Sequence, residues 1–368
     1  MTTPIITVLH VLGGVDFRGG AVCVTEKLAG ANLPGVEARI WVHRECKQVG
    51  DAGYFVAGGR ARRLNAGLAR DLWAAIQDTA PLYAWCRTQQ RVVLHAHSRA
   101  GIFAASIVHW LGRWPLVLHL QFLANRPALY RLLQRLTGAT VIYNSPKTCR
   151  HYGGDPTTAQ VLMPPITWPT EPPARRNGAV RFVAAGHFVL GKHFLLLVTA
   201  FRRLRQAGID AELVIFGLSE SPPDPACQRT VVQAAQGEAA IRLMRWSRDW
   251  AGQLTTGDIF VHVGEPESFG LVILEAFAKG SRLLVLRGTF LDDLPEALRS
   301  PGIEYLERLD EECLFQKMKL ALRKVDSHSD FWEARRTMSH RFSVEYCSAP
   351  LAQLYHSLAN PNPHLNRT

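Results

Sequence analysis

Two glutamates eight positions apart, Glu267 and Glu275, are the side chains of this sequence best placed to do chemistry. They lie in PESFGLVILEAFAKG, residues 266–280, a stretch that is otherwise largely apolar. A carboxylate in such surroundings is costly unless it is paired or hydrogen-bonded. Two of them therefore call for donors. An ionised carboxylate accepts two hydrogen bonds side by side, which suits the vicinal diol of a ribose or hexose. DIFVHVG reads as a strand, EPES as its exit loop and FGLVILEAFAKG as a helix that Gly280 ends. Glu267 then sits beside the helix start, and Glu275 lies about two turns later. Ser268, Phe269 and Gly270 lead into that helix, whose first backbone N–H groups can approach a phosphate.

A second segment, VAAGHFVLGKHFLLLVTAFRRL, ends a strand at Gly186 and carries His187 and Lys192 on a loop into a helix. A lysine there is a point charge for phosphate. A third, HVLGGVDFRGGAVCVTEKLA, follows the first strand with Gly13, Gly14, Gly19 and Gly20, which permit a tight turn and close approach of a ligand. Histidines form a fourth set. His95 and His97 alternate on one strand face, and so do His119 and Gln121 on another. The first pair offers only two metal ligands with no acid close behind, so no metal site is expected.

These segments need elements to hold them. Short apolar runs alternate with helical periods: ITVLHVL, EARIWVH, RVVLHAH, PLVLHLQF and ATVIYNS, then VRFVAAG, AELVIFG, IRLMRW, DIFVHVG and SRLLVL. Such alternation implies α/β architecture with parallel sheets. At 368 residues, two domains are expected. The proline-rich stretch MPPITWPTEPPARRNG separates them, giving residues 1–165, a linker at 166–174 and residues 175–343. In such folds ligands sit beyond the carboxyl ends of the strands, here in a cleft between two Rossmann-like halves. The seven scattered cysteines contain no CxxC and imply reduced thiols and a cytoplasmic setting. No long apolar run suggests a membrane span, and the N-terminus does not read as a signal peptide.

Of the net charge of +11, residues 1–168 hold +10. This asymmetry concerns partners. Basic residues interleaved with aromatics in one module, the mark of nucleic-acid binding, are not found. GGRARRLNAGLARDLWAAI instead pairs a stripe of Leu64, Leu68, Leu72 and Ile76 with Arg62, Arg63 and Arg70, and NRPALYRLLQRLTG adds Arg131 and Arg135. Basic amphipathic helices of this kind lie on anionic bilayers, so a peripheral position on the inner membrane face is expected.

The sequence resembles the GT-B glycosyltransferases of family GT4, the group 1 retaining enzymes, over nearly its whole length. ESFGLVILEAFAKG matches their E-x7-E segment. HVLGGVDFRGGAVCVTEKLA resembles their opening glycine-rich turn, and VVLHAHS a strand of their N-terminal domain. RFSVEYCSAPLAQLYHSL resembles a terminal helix, here 344–360, that crosses back onto the N-terminal domain. The resemblance implies a nucleotide-sugar donor, UDP or GDP, and no metal or other cofactor. It implies that Glu275 binds the ribose, Glu267 contacts the donor sugar and Lys192 neutralises the diphosphate. Gly19 and Gly20 would approach the donor phosphate and acceptor, and His97, His119 and Gln121 would belong to the N-terminal side of the site. It further implies a lipid-linked oligosaccharide, lipopolysaccharide or exopolysaccharide-type acceptor. Two departures stand out. His187 replaces the family's phosphate-binding arginine, and Gln121 stands where the strand-ending histidine is expected, with His119 two residues earlier. They leave open an alternative: a catalytically weak protein that binds nucleotide sugar or a partner glycosyltransferase.

Overall fold

The computed structural model describes residues 5–14, 19–46, 54–62, 67–171, 174, 178–265, 267–294, 302–323 and 328–360. The chain divides into two compact units, Met1–Ile166 with Phe342–Thr368, and Thr167–Arg341.

The first unit is built on seven strands: β1 (Ile6–Val11), β2 (Val36–His43), β3 (Phe55–Gly59), β4 (Val92–Ala96), β5 (Leu116–Leu120), β6 (Thr140–Tyr143) and β7 (Gln160–Val161). They pair in parallel in the order β3-β2-β1-β4-β5-β6-β7. The order of the strands reverses between β1 and β4, where two connections run outward to opposite sides. Alternation along the strands separates the two faces. Leu9, Val11, Leu94, Ala96, Leu118 and Leu120 join one core with residues of α2 (Leu68–Arg87), α3 (Arg99–Gly112) and α4 (Pro127–Thr137). The intervening positions include His10, His95 and His119. The last helix, α11 (Val344–Ala359), packs on β1, β4 and α1 (Gly20–Ala29). Its Tyr355 and His356 reach His95 and the Pro34 carbonyl.

The second unit has six parallel strands: β8 (Val180–Ala185), β9 (Ala211–Leu218), β10 (Ile241–Arg245), β11 (Ile259–His262), β12 (Arg282–Leu286) and β13 (Ile303–Leu306). Their order is β10-β9-β8-β11-β12-β13, so the reversal falls between β8 and β11. Helices α6 (Phe194–Gln206), α7 (Pro225–Ala235), α8 (Leu271–Ala278), α9 (Glu311–Arg323) and α10 (His328–Arg341) complete it. The ten strands expected from apolar runs are all present. The three not anticipated, β3, β7 and β13, are only five, two and four residues long.

One correction concerns the first basic helix. It begins at Leu68, so Arg62 lies in the preceding segment, where it donates to Glu45 at 2.9 Å. Arg63 and Leu64 lie outside the described residues.

The central strands of the second unit are tied at their base. Arg181 donates through Nε to Asp258 Oδ1 at 2.8 Å, and the Thr255 N–H donates to Asp258 Oδ2 at 2.7 Å. Asp258 is 1% exposed. Removing one partner of a buried pair leaves an uncompensated charge and costs about 3 kcal/mol or more. Arg181→Ala should therefore lower the unfolding free energy by about 3 kcal/mol in urea denaturation; a loss below about 1 kcal/mol would mean the pair is dispensable.

Candidate active site

The loops leaving β8 and β11, neighbours at the reversal of strand order, bring three side chains together. After β8 a 3-10 turn, Leu190–Lys192, precedes α6. Its Gly191 carbonyl accepts from the Glu265 N–H at 2.8 Å, which joins the two loops. The Lys192 stem runs past two glycines. A Cβ on Gly186 would stand 3.4 Å from Lys192 Cε, and one on Gly264 would stand 2.9 Å from Lys192 Cδ. Glycine at 264 is thus a packing requirement of the lysine. Threaded this way, Lys192 Nζ donates to Glu267 Oε2 at 2.7 Å, and His262 Nε2 stands 3.3 Å from the same oxygen.

The electrostatics follow. Burial pushes the Glu267 carboxyl upward, but the His262 contact and the Lys192 charge outweigh it and hold the group at about 2. Burial lowers the His262 imidazole, which is therefore neutral near pH 7. Glu267 is an ionised carboxylate between one cation and one neutral ring. His262, the last residue of β11, was not anticipated as part of the site. Read in sequence, it is one polar residue in an apolar strand, and only its register at the strand end brings it to Glu267.

Gly270 precedes α8 with φ +95°, and no side chain caps the helix. That backbone conformation calls for glycine, and a Cβ there would also press on Ile273 Cδ1 at 2.8 Å. The first N–H groups of α8 start beside Glu267. Phe269 is buried and stacks on Phe290 at 4.3 Å, so its ring belongs to the core and its backbone to the loop. Ser268 and His187 are half-buried. On α8, Glu275 Oε2 accepts the Trp250 indole N–H at 3.1 Å. Trp250 is itself buried between Phe216 and Phe260. It was likewise not anticipated, because in sequence it stands 25 positions from Glu275 with nothing to join the two.

The candidate residues of the first unit form a group of their own. His97, His119 and Gln121 are 0, 0 and 9% exposed. Gln121 Nε2 stands 2.7 Å from His97 Nδ1, and His97 Nε2 stands 2.8 Å from His10 Nδ1. Sequence spacing offered only His95 and His97 as a pair. The parallel register sets His10 opposite His95 and supplies a third ring. Gly19, with φ +111°, and the exposed Gly20 begin α1.

Solved structures with this architecture superimpose over almost the whole chain. A glycosyltransferase of Rickettsia africae is 14% identical, with a TM-score of 0.72 over 97% of this chain and 100% of that one. HepE of Anabaena, in complex with UDP and glucose, is 14% identical, with a TM-score of 0.73 over 96% and 100%. The lipopolysaccharide outer core galactosyltransferase WaaB is 12% identical, with a TM-score of 0.66 over 95% and 100%. At such identities the likeness defines the fold, which is GT-B. No curated protein matches the sequence. Residues 179–300 match the family of glycosyl transferases group 1. The matched stretch lies in the second unit, the one that holds Lys192, Glu267 and Glu275.

The depressed value of Glu267 gives a signed expectation. Its contribution to stability is present above the ordinary carboxyl value of 4.5 and is lost as pH falls toward about 2. Glu267→Gln should remove that part of the pH dependence of chemical denaturation. An unchanged slope below pH 4.5 would show that Lys192 and His262 do not hold the carboxylate.

Proposed function

We propose that this chain transfers a glycosyl group from a nucleotide-sugar donor to a glycan or glycolipid acceptor with retention of anomeric configuration. The observation that carries the reading is the Lys192–Glu267–His262 cluster at the strand reversal of the second unit, beside the uncapped start of α8.

A donor diphosphate brings two negative charges. Lys192 Nζ and the first N–H groups of α8 are the donors that meet them, in the role a metal plays elsewhere. When the diphosphate takes a share of Lys192, Glu267 keeps its contact with His262 and is held against the donor sugar. Glu275, fixed by Trp250, accepts from the ribose hydroxyls. His187, in the loop of Lys192, stands where the family has its arginine, and Ser268 lends its loop to the same phosphates. The leaving phosphate oxygen takes the acceptor proton, so no side-chain base is required. That HepE was crystallised with UDP and glucose supports UDP as the donor nucleotide. The first unit is assigned the acceptor through its turn at Gly19 and Gly20. The burial of His97, His119 and Gln121 favours a positioning role for them over direct proton transfer.

No helix among the described residues is long and apolar enough to cross a membrane. A peripheral association is supported instead by the surface of the first unit. Trp73 and Ile76 on α2, Trp110 and Leu111 on α3, and Leu132 and Leu136 on α4 are exposed. The Trp110 indole donates to the Leu136 carbonyl at 3.4 Å, which joins two of these helices. Arg70, Arg131 and Arg135 are exposed on the same helices. WaaB, which acts in the lipopolysaccharide outer core, supports a glycolipid-type acceptor.

Calorimetry with UDP tests the donor assignment. Glu275→Ala should weaken binding about tenfold to a hundredfold, the range for a hydrogen bond lost at a charged group, whereas Glu267→Gln should bind UDP and lose donor turnover. Equal UDP affinity in Glu275→Ala and the parent would remove the ribose assignment.

Vesicle co-sedimentation tests the surface. The chain should bind anionic vesicles at low salt and release them at high salt, because each basic residue near such a surface contributes about 1 kcal/mol. Replacing Arg70, Arg131 and Arg135 by Ser should abolish binding without altering UDP affinity; failure of the parent chain to sediment would favour a soluble acceptor.

A further inference from the structure

Four histidines stand together in the first unit, and none of them belongs to the Lys192–Glu267–His262 cluster. His10, His95, His97 and His119 are each at most 1% exposed. A buried polar group without a partner is costly, so such groups are normally satisfied. Here His95 Nε2 and both nitrogens of His119 have no hydrogen-bond partner. The rings crowd one another, with centroids 4.2 Å apart for His95 and His97, 5.1 Å for His10 and His97, and 5.3 Å for His95 and His119. One ligand nitrogen from each of His10, His95 and His97 lies within 4.8 Å of the others.

The outer nitrogens are the informative ones. His95 Nδ1 is held by the Tyr355 hydroxyl at 2.7 Å, and His97 Nδ1 by the Gln121 amide at 2.7 Å. Metal-ligating histidines are characteristically fixed in this way, with one nitrogen on a polar neighbour and the other on the ion. Of the remaining nitrogens, His97 Nε2 faces His10 Nδ1 at 2.8 Å, and His95 Nε2 is buried without a hydrogen-bond partner. We propose that His10, His95 and His97, with His119 beside them, form a buried site for a late first-row transition ion such as Zn2+.

Imidazole-only ligation selects zinc, copper, nickel or cobalt over magnesium and calcium, which take oxygen ligands. His10 Nδ1 and His97 Nε2 stand 2.8 Å apart and share one proton. An ion about 2.0–2.1 Å from each nitrogen replaces that proton and parts the two by roughly half an ångström. The displaced proton is kept within the rings: His10 carries its proton on Nε2, His95 on Nδ1 toward the Tyr355 oxygen, and His97 on Nδ1 toward the Gln121 amide oxygen after a half-turn of that amide. His119 or a solvent-derived ligand completes a tetrahedral set. Strand β1 supplies His10, β4 supplies His95 and the residue just past its end is His97, while Tyr355 belongs to α11, so the ion clamps the C-terminal helix to the sheet. Its role is structural and separate from the donor site.

Co2+ reports tetrahedral nitrogen ligation by visible d–d absorption. The full chain, stripped with chelator and titrated with Co2+, should develop such bands at one equivalent and lose them to Zn2+, and Zn2+ should raise the melting temperature. His10→Ala and His97→Ala should abolish the bands. Tyr355→Phe removes only the outer support of His95 and should weaken Co2+ binding about tenfold to a hundredfold. It keeps the test decisive if the histidine variants do not fold. Absence of a saturable one-equivalent band overturns the proposal, as does a band that survives in His97→Ala or is unchanged in affinity in Tyr355→Phe.

Discussion

Glu267 stays ionised in a place that water scarcely reaches, and the candidate site depends on that. Desolvation alone would raise its pKa. The Lys192 ammonium and the His262 imidazole reverse the outcome by meeting the same oxygen. Each partner has a structural cost. Lys192 needs Gly264 for its stem, and His262 needs to end β11 beside β8. The result is a carboxylate held in one orientation beside a cation that a phosphate can share. Preorganisation of this kind lets charge be stabilised during reaction without rearrangement.

Both sheets place their polar groups at the same topological position. In the second unit the reversal at β8 and β11 holds the Lys192 cluster. In the first, the reversal at β1 and β4 holds His10 opposite His95. Parallel strands at such a point diverge in their connections, which leaves room beyond their carboxyl ends. The two units have used that room differently. The second carries charged groups on loops beside a helix start. The first closes its histidines under α11, where only another buried donor, or an ion, satisfies them.

Much of this was legible in the sequence, for identifiable reasons. Short apolar runs separated by helical periods gave the two parallel sheets, and the E-x7-E segment marked Glu267 and Glu275 because acids are costly in apolar surroundings. What escaped was set by register and packing. His262 and Trp250 are single polar or aromatic positions in regular elements, and only the fold puts them against Glu267 and Glu275. His10 is 85 positions from His95, and only strand pairing makes them neighbours. The start of α2 was misjudged because leucine spacing continues upstream of Leu68, while Gly67, with φ +112°, begins the helix.

The most direct test of the account is a crystal structure of the full chain with bound UDP. The account predicts diphosphate oxygens within hydrogen-bond reach of Lys192 Nζ and the first N–H groups of α8, with the ribose hydroxyls on Glu275. A nucleotide seated elsewhere, with Lys192 bonded only to Glu267 and Glu275 untouched, would contradict it.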